Sequence, residues 1–334
     1  MNLLIFEYIT GGGFNRQEIP ASLAKEGGLM LSALLENFSA MPEINITLML
    51  DYRFLPSFSD SNSDSKINIA TLTPDHNVHE EFFCYCRTND AVWPVAPEFD
   101  GILQNLCRQV TDAGKLLLTS PASAVAATAD KFTTWQALSR LQIPTAATRL
   151  FQDCRYLPGE WIIKPIDGAG SSQTYLIFNQ TDFSVAVSSI SDFSRYIIQP
   201  HLEGEKTSLS CLFKQGEAWV ISANLQEFSI HGNQYRLDGC RVNHQPPKPV
   251  HVALANQVAQ AFPDLWGYAG IDLIDTPEKT WVLEINPRLT TSFAGIDAAL
   301  GINVAREVLA LRENTPKFNP LRNQPIDINL KHES

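Results

Sequence analysis

The chain has 334 residues, 44% hydrophobic and 18% charged, which suits about two packed domains and excludes a disordered polymer. Eighteen Gly and 20 Pro exclude a collagen-like or low-complexity chain. Thirty-six acidic against 25 basic residues leave a net charge of −11, the wrong sign for a general nucleic-acid or anionic-membrane binder; a local basic pocket for a phosphate compound stays open.

Residues 3–9 read as a first strand. No basic segment precedes them and Glu7 interrupts the apolar run, so a signal peptide is not expected. Thr10-Gly11-Gly12-Gly13 is expected to be a loop that no helix crosses. Residues 22–38 place Leu23, Met30, Leu31, Leu34, Leu35 and Phe38 at helical spacing, with Gly27-Gly28 expected to kink that helix or delay its start. A strand over 44–50, an exposed Ser- and Asp-rich loop over 57–66, an amphipathic helix over 99–110 stopped by Gly114, and a short buried strand over 115–118 follow. This alternation predicts a small parallel sheet flanked by helices. No stretch of ~20 apolar residues suggests a membrane-spanning helix. The six scattered cysteines read as reduced thiols of a cytoplasmic protein.

A second unit starts near Thr119. Asp130 is placed to cap a helix running to Leu141, and Pro144 prevents its continuation. The pattern then turns to strands over 160–165, 174–178, 195–199, 208–213 and 218–224, with a helix over 182–190 among them. A helix over 250–262, a hairpin of 270–274 with 280–285, and a helix over 304–311 capped by Asn303 complete the series. From Lys317 onward a surface wrap is expected.

Several familiar templates fail. Gly204-Glu205-Lys206-Thr207 lacks the Gly-Lys pair of a P-loop, and Gly168-Ala169-Gly170 meets Gln173 where a dinucleotide fingerprint needs its third glycine. No Gly-x-Ser-x-Gly elbow is present. His76, His79, Cys84 and Cys86 offer zinc-ligand types at a spacing that matches no common module, and purely structural residues are the plainer reading.

One set of motifs converges. Glu284 and Asn286 are two apart in a strand and leave the same face; with a turn centred on Glu278, Asp272 falls opposite Glu284. Two carboxylates so close repel unless a cation lies between them, and a few hard oxygen donors suit Mg²⁺ that also takes water and phosphate. The plain alternative is a solvent-facing strand pair with incidental acids. Arg288, after the rigid Pro287, is placed to hold a phosphate or carboxylate bidentately, with Thr290, Thr291 and Ser292 adding hydroxyls. Lys164 sits in an apolar strand where an unpaired ammonium is costly, and an anionic ligand would offset that cost. Asp167-Gly168-Ala169-Gly170-Ser171-Ser172 is a small-residue loop whose N–H groups can fold over phosphates, and Lys131 supplies a second cation. Between these and the acids, residues 197–205 run from a strand into an irregular linker with backbone groups free for an adenine edge.

The order Asp130-Lys131, Lys164-Pro165, Gly168–Ser172, Gln199–Glu205, Asp272 and Glu284-Ile285-Asn286-Pro287-Arg288 resembles the ATP-grasp superfamily from Thr119 to about Leu311. The resemblance implies an α/β (α+β) chain. An N-terminal Rossmann-like, pre-ATP-grasp parallel-sheet domain over 1–118 would precede an ATP-grasp domain over 119–315, with a tail over 316–334. The ATP-grasp part divides into a small lid over about 130–200 and a main sheet over about 201–315. It implies ATP phosphates on Lys131 and Lys164, covered by Gly168, Gly170, Ser171 and Ser172. Adenine would lie on Gln199, Pro200, His201 and Leu202, and two Mg²⁺ ions, with Mn²⁺ as a substitute, on Asp272, Glu284 and Asn286. Lys206 stands where many members carry a ribose-binding glutamate, leaving Glu205 as the substitute. Arg288 and Lys164 are the expected catalytic residues.

A narrower resemblance rests on Phe6-Glu7-Tyr8-Ile9-Thr10-Gly11-Gly12-Gly13, Glu26-Gly27-Gly28-Leu29-Met30-Leu31, and Asn224-Leu225-Gln226 with Gly239 and Asn243. These segments are similar to the tyramine–L-glutamate ligase group of methanofuran biosynthesis, with methylofuran as the bacterial counterpart. That implies a carboxylate–amine ligase with amino-acid and amine substrates, no nucleic-acid or membrane partner, and a homodimer formed through the N-terminal domain. A small-molecule kinase and a non-catalytic ATP-binding protein remain as alternatives on the same scaffold.

Overall fold

The computed structural model describes residues 1–56, 58, 66–152, 155–168 and 173–331. The expected loop over 57–66 therefore lies almost wholly outside the described residues, as do Ala169, Gly170, Ser171 and Ser172.

The N-terminal region alternates β1 (Asn2–Glu7), α1 (Ala21–Ser39), β2 (Asn45–Asp51), β3 (Ile67–Leu72), α2 (Val78–Thr88), β4 (Ala91–Val95), α3 (Ile102–Asp112) and β5 (Leu116–Leu117). Among the described residues the strands form a parallel sheet of order β3-β2-β1-β4-β5. Its central strands are buried from Leu3 to Glu7 and from Ala91 to Val95, as strands with helices on both faces must be. Gly114 ends α3 at φ +67°, the left-handed geometry that favours glycine.

Two local expectations are corrected here. Thr10–Gly13 is not a helix-free loop: Ile9–Gly13 closes a wide helical turn, Gly13 N–H donating to Tyr8 O at 2.7 Å. The turn is tight because the Glu7 carboxylate accepts from Ile9 N–H, Thr10 N–H and Thr10 Oγ1. A Cβ on Gly11 or Gly13 would also strike the Phe6 or Tyr8 ring. Gly27-Gly28 neither kinks nor delays α1. Gly27 is required by contact instead, since a Cβ there would lie 2.6 Å from Glu7 Oε2, whereas a Cβ on Gly28 meets nothing.

The remainder comprises α4 (Ala122–Ala129), α5 (Lys131–Arg140), β6 (Arg149–Leu150), β7 (Trp161–Pro165), β8 (Tyr175–Ile177), α6 (Gln180–Ser189), β9 (Tyr196–Pro200), β10 (Glu205–Lys214), β11 (Glu217–His231), β12 (Gln234–Gln245), α7 (Pro249–Ala261), β13 (Gly267–Asp275), β14 (Thr280–Asn286), α8 (Ile296–Leu300), α9 (Val304–Ala310) and β15 (Ile326–Asn329). Asp130 caps α5 through Thr133 N–H, and Asn303 caps α9 through Arg306 N–H. Among the described residues the strands form one sheet, order β14-β13-β10-β11-β12-β8-β7-β9-β6. Its two halves meet at one registered pair, Gln234 with Tyr175. The chain after Lys317 does more than wrap the surface: β15 pairs antiparallel with β12, and Leu330 is buried.

The two sheets share a core. Leu34 and Phe38 of α1 belong to the same apolar cluster as Leu212, Val242, Phe293 and Leu300. Asn37 adds hydrogen bonds to Asn303 and Ala305. This packing holds α1 against the turn Thr291–Gly295 that follows β14, and Glu26 near its start reaches Thr291.

Candidate functional site

Antiparallel register between β13 and β14 sets Asp272 opposite Glu284, and Asn286 one pleat further along the same face. Asn286 Nδ2 donates to Asp272 Oδ2 at 3.1 Å, and Gln226 Nε2 of β11 donates to Asp272 Oδ1 at 3.0 Å. Glu284 Oε2 lies 3.4 Å from Lys131 Nζ and 3.9 Å from Lys164 Nζ. Lys131 also donates to Gly168 O at 2.7 Å, tying the start of α5 to the small-residue loop. Asp272, Glu284, Asn286, Lys131, Lys164 and Gly168 are thus brought together.

Their electrostatics are uneven. Burial, with the Glu284 charge beside it, pushes the Asp272 carboxyl up to about 7. Burial acts against Glu284 too, but Lys131 and Lys164 outweigh it and hold that carboxyl below its ordinary value. Burial draws Lys164 down to about 8 despite Glu284. A divalent cation suits this arrangement, because it would relieve the repulsion between the carboxylates, and the amide oxygen of Asn286 remains available while its nitrogen serves Asp272. Among the described residues no group of three His, Cys, Asp or Glu is placed to hold a metal. The donor set here is two carboxylates and an amide, which leaves coordination positions for water and phosphate oxygens.

Two cavities open from this strand pair. The first is walled by Ile162, Leu202, Phe228, Tyr235, Ile274 and Leu283, with Lys131, Lys164 and Lys206 also lining it. His201 lines it too, held by Glu160 Oε2 and Tyr235 Oη at 3.0 Å each. The linker differs from expectation in three respects. β9 runs regularly through Pro200, the His201 N–H is already used by Glu160 O, and buried Gln199 donates to Thr148 Oγ1 at 2.7 Å. Gln199 and Pro200 thus carry the chain to this cavity without lining it, and Leu202 lines it with an N–H that has no partner among the described residues. Glu205 is exposed and outside the cavity, because strand alternation turns its neighbour Lys206 inward instead. Lys206 Nζ sits 4.5 Å from the Tyr235 ring centroid and 5.8 Å from that of Phe228. The sequence signal for this replacement was the lysine at the expected glutamate position.

The second cavity shares Gln226, Phe228, Asp272 and Glu284 with the first and adds Glu26, Ser208, Arg288, Thr290, Thr291 and Ser292. Tyr268 Oη and the hydroxyls of Ser210, Thr290 and Ser292 form a buried network that fixes the loop after Arg288. Arg288 does not stand alone at its strand end. Its Nε lies 2.9 Å from Oε1 of Glu98, a residue only 5% exposed. The pair is a charge contact and not an aligned hydrogen bond, so both atoms are buried without a hydrogen-bond partner among the described residues. Burial opposes the Arg288 charge, and Glu98, Glu26 and Glu284 together raise its pKa above the ordinary value. Glu98 escaped sequence reasoning because it follows an apolar strand with no motif around it.

The remaining candidates lie elsewhere. His76 is occupied by Thr73, while Cys84 is exposed and Cys86 buried on the helix α2. Cys84, Cys86, Cys107, Cys211 and Cys240 are unpaired thiols.

Comparison with known proteins matches residues 128–292 to the ATP-grasp domain and residues 44–125 to the pre-ATP-grasp 3 domain. The chain belongs to the ATP-grasp superfamily. It is 25% identical over 298 residues to a protein named tyramine–L-glutamate ligase of Methanocaldococcus fervens, covering 88% of this chain and 89% of that one. The protein of the same name from Methanocaldococcus jannaschii is 25% identical over 297 residues, covering 88% and 84%. A crystal structure of an ATP-grasp superfamily protein from Archaeoglobus fulgidus superposes with a TM-score of 0.74 at 23% identity, covering 98% of this chain and 92% of that chain. The chain is an ATP-dependent ligase, and ATP with Mg²⁺ is the usual requirement of its superfamily. Among the described residues no helix is long and apolar enough to cross a membrane.

Proposed function

We propose that this ligase joins a carboxylate to a primary amine, converting ATP to ADP and phosphate, with glutamate as the acid and tyramine, tyrosine or a related amine as nucleophile. The observation that carries the reading is the Asp272–Glu284 pair, set in register with cations beside it and a cavity on each side. The apolar cavity suits a nucleotide base and ribose, with Leu202 offering a backbone donor to the adenine edge. Lys131 and Lys164 neutralise the phosphates, under the Gly168–Ser172 loop. Asp272, Glu284 and Asn286 would hold two Mg²⁺ ions, with Mn²⁺ as a substitute. These ions would supply charge neutralisation between phosphate oxygens.

The other residues act by position and charge. Direct amide formation lacks a leaving group, and transfer of the γ-phosphoryl to the acid supplies one as an acyl phosphate. Such transfer asks the protein mainly for alignment and charge stabilisation. Arg288 faces the carboxyl end of the reaction and stabilises the acyl phosphate and the tetrahedral species that follows. We also carry over the family expectation of a cytoplasmic homodimer, which molar mass in solution tests.

ADP release measured across amino acids crossed with tyramine, tyrosine and other amines decides among the readings. The ligase requires both partners. ADP release with an acid or alcohol and no amine would make the chain a kinase, and tight ATP binding with no release across the panel would make it a non-catalytic binder.

A further inference from the structure

Four acids surround the second cavity or stand behind it, and three are accounted for. Asp272 accepts from two amides, Glu284 is flanked by two lysines, and Glu98 is in contact with Arg288. Glu26 differs. Its Oε2 accepts from Thr291 Oγ1 at 3.0 Å, while its Oε1 has no hydrogen bond and no basic side chain pairs with it among the described residues. This half-buried carboxylate thus keeps one oxygen open to a ligand, and burial raises its pKa against the opposing effects of Thr291 and Arg288.

Its place is as telling as its lack of a partner. Glu26 lines the chamber that holds Asp272, Asn286 and Arg288, and it also lines a wide mouth where Phe14, Leu23 and Phe99 lie on its own side and charged residues, among them Asp192, Arg195 and Arg236, lie across from it. It comes from α1, which packs against the turn Thr291–Gly295 that follows β14. A molecule entering along the Phe14, Leu23 and Phe99 side of the mouth therefore has an apolar surface to rest on before it reaches Glu26, an acid with no basic partner among the described residues, near Arg288.

We infer that Glu26 receives the attacking amine, binding it as a primary alkylammonium whose apolar or aromatic body rests in the mouth. The inference rests on the ligase reading. An ammonium has no lone pair for attack. One of its N–H bonds breaks, the proton passes to Glu26 to form a carboxylic acid, and the freed nitrogen pair attacks the acyl carbon. The C–O bond to phosphate then breaks with its electrons, and the departing phosphate takes the second nitrogen proton. Glu26 returns its proton to solvent through the mouth as product leaves.

The test compares wild type with Glu26→Gln and Glu26→Ala, using ATP, Mg²⁺ and glutamate with either tyramine or hydroxylamine. Hydroxylamine is small and uncharged at neutral pH, so it traps an acyl phosphate as hydroxamate without an ammonium site. The expected result is a fall of about ten- to a hundredfold in kcat/KM for tyramine, the scale of losing a charged hydrogen bond. The glutamate KM and hydroxamate formation should change far less. Tyramine kcat/KM equal to wild type in either folded variant overturns the inference, as does a rise in glutamate KM with parallel loss of hydroxamate, which would put Glu26 on the acid. If Glu26→Ala fails to fold, Glu26→Gln carries the test, because its amide oxygen can still accept from Thr291. Wild type that forms neither ADP nor hydroxamate rejects the ligase reading itself, a result separable from the others.

Discussion

The two cavities flanking the β13–β14 pair are built from the same carboxylates and have opposite characters. On the nucleotide side Glu284 has two ammonium partners and the walls are apolar. On the chamber side Arg288 stands among Glu98, Glu26 and Glu284, with hydroxyls around it. The first is cationic where phosphates would lie. The second pairs one guanidinium with surplus acid, as a chamber must if it handles both an anionic acyl phosphate and a cationic amine. On the proposed function, one pair of strands would separate the chemistry that activates a carboxylate from the chemistry that captures it.

The sharpest way to break that division is at Arg288. Arg288→Ala should keep ATP binding and lower turnover by at least ~10²-fold, the scale of losing one oxyanion donor. Removing it also leaves Glu98 buried without a cation, so Arg288→Ala with Glu98→Gln is the matched control. A nucleotide-binding titration beside a coupled ADP assay checks both expectations, and undiminished turnover removes Arg288 from the mechanism.

The seam that holds α1 over the chamber offers the next effect. Gly27→Ala would drive a methyl into the Glu7 carboxylate, and overpacking of that kind costs about 1–3 kcal/mol. Gly28→Ala has open space and should stabilise by about 0.4–1 kcal/mol. Denaturant melts of the two variants should move in opposite directions.

A smaller effect belongs to the lid. Arg195 Nη2 bridges Asp100 of the N-terminal region at 2.7 Å and Asp167 of the small-residue loop at 3.2 Å. The pair is exposed, so Arg195→Ala should cost under about 1 kcal/mol of stability. Steady-state kinetics should show a few-fold rise in the KM for ATP with little change in Tm.

The smallest is a pH effect at Glu7, whose folded pKa burial raises against its three hydrogen bonds. A raised folded pKa gives stability that is complete below the unfolded carboxyl value and is lost as pH climbs through the folded one. Glu7→Gln should therefore flatten the decline in Tm as pH rises above the ordinary carboxyl range; an unchanged slope contradicts it.

Much of this was legible in the sequence, for physical reasons that differ by element. The Asp272–Glu284 register followed from period-two alternation and a short turn, both local properties. The caps at Asp130 and Asn303 were legible for the same reason. The Glu98–Arg288 contact joins residues 190 positions apart, each just beyond a strand of a different sheet, and no local pattern encodes it. Likewise β15 has a strand-like pattern only once β12 provides its partner, and the reason for Gly27 appears only when Glu7 is beneath it. Lys206 was visible as a departure, but its inward direction needed the register of β10.

The central claim is that the acid is activated by phosphoryl transfer before the amine attacks. Glutamate labelled with ¹⁸O in its carboxylates, incubated with ATP, Mg²⁺ and tyramine, tests it directly. One ¹⁸O atom per turnover should appear in the released phosphate. Amide product accompanied by unlabelled phosphate would contradict the account.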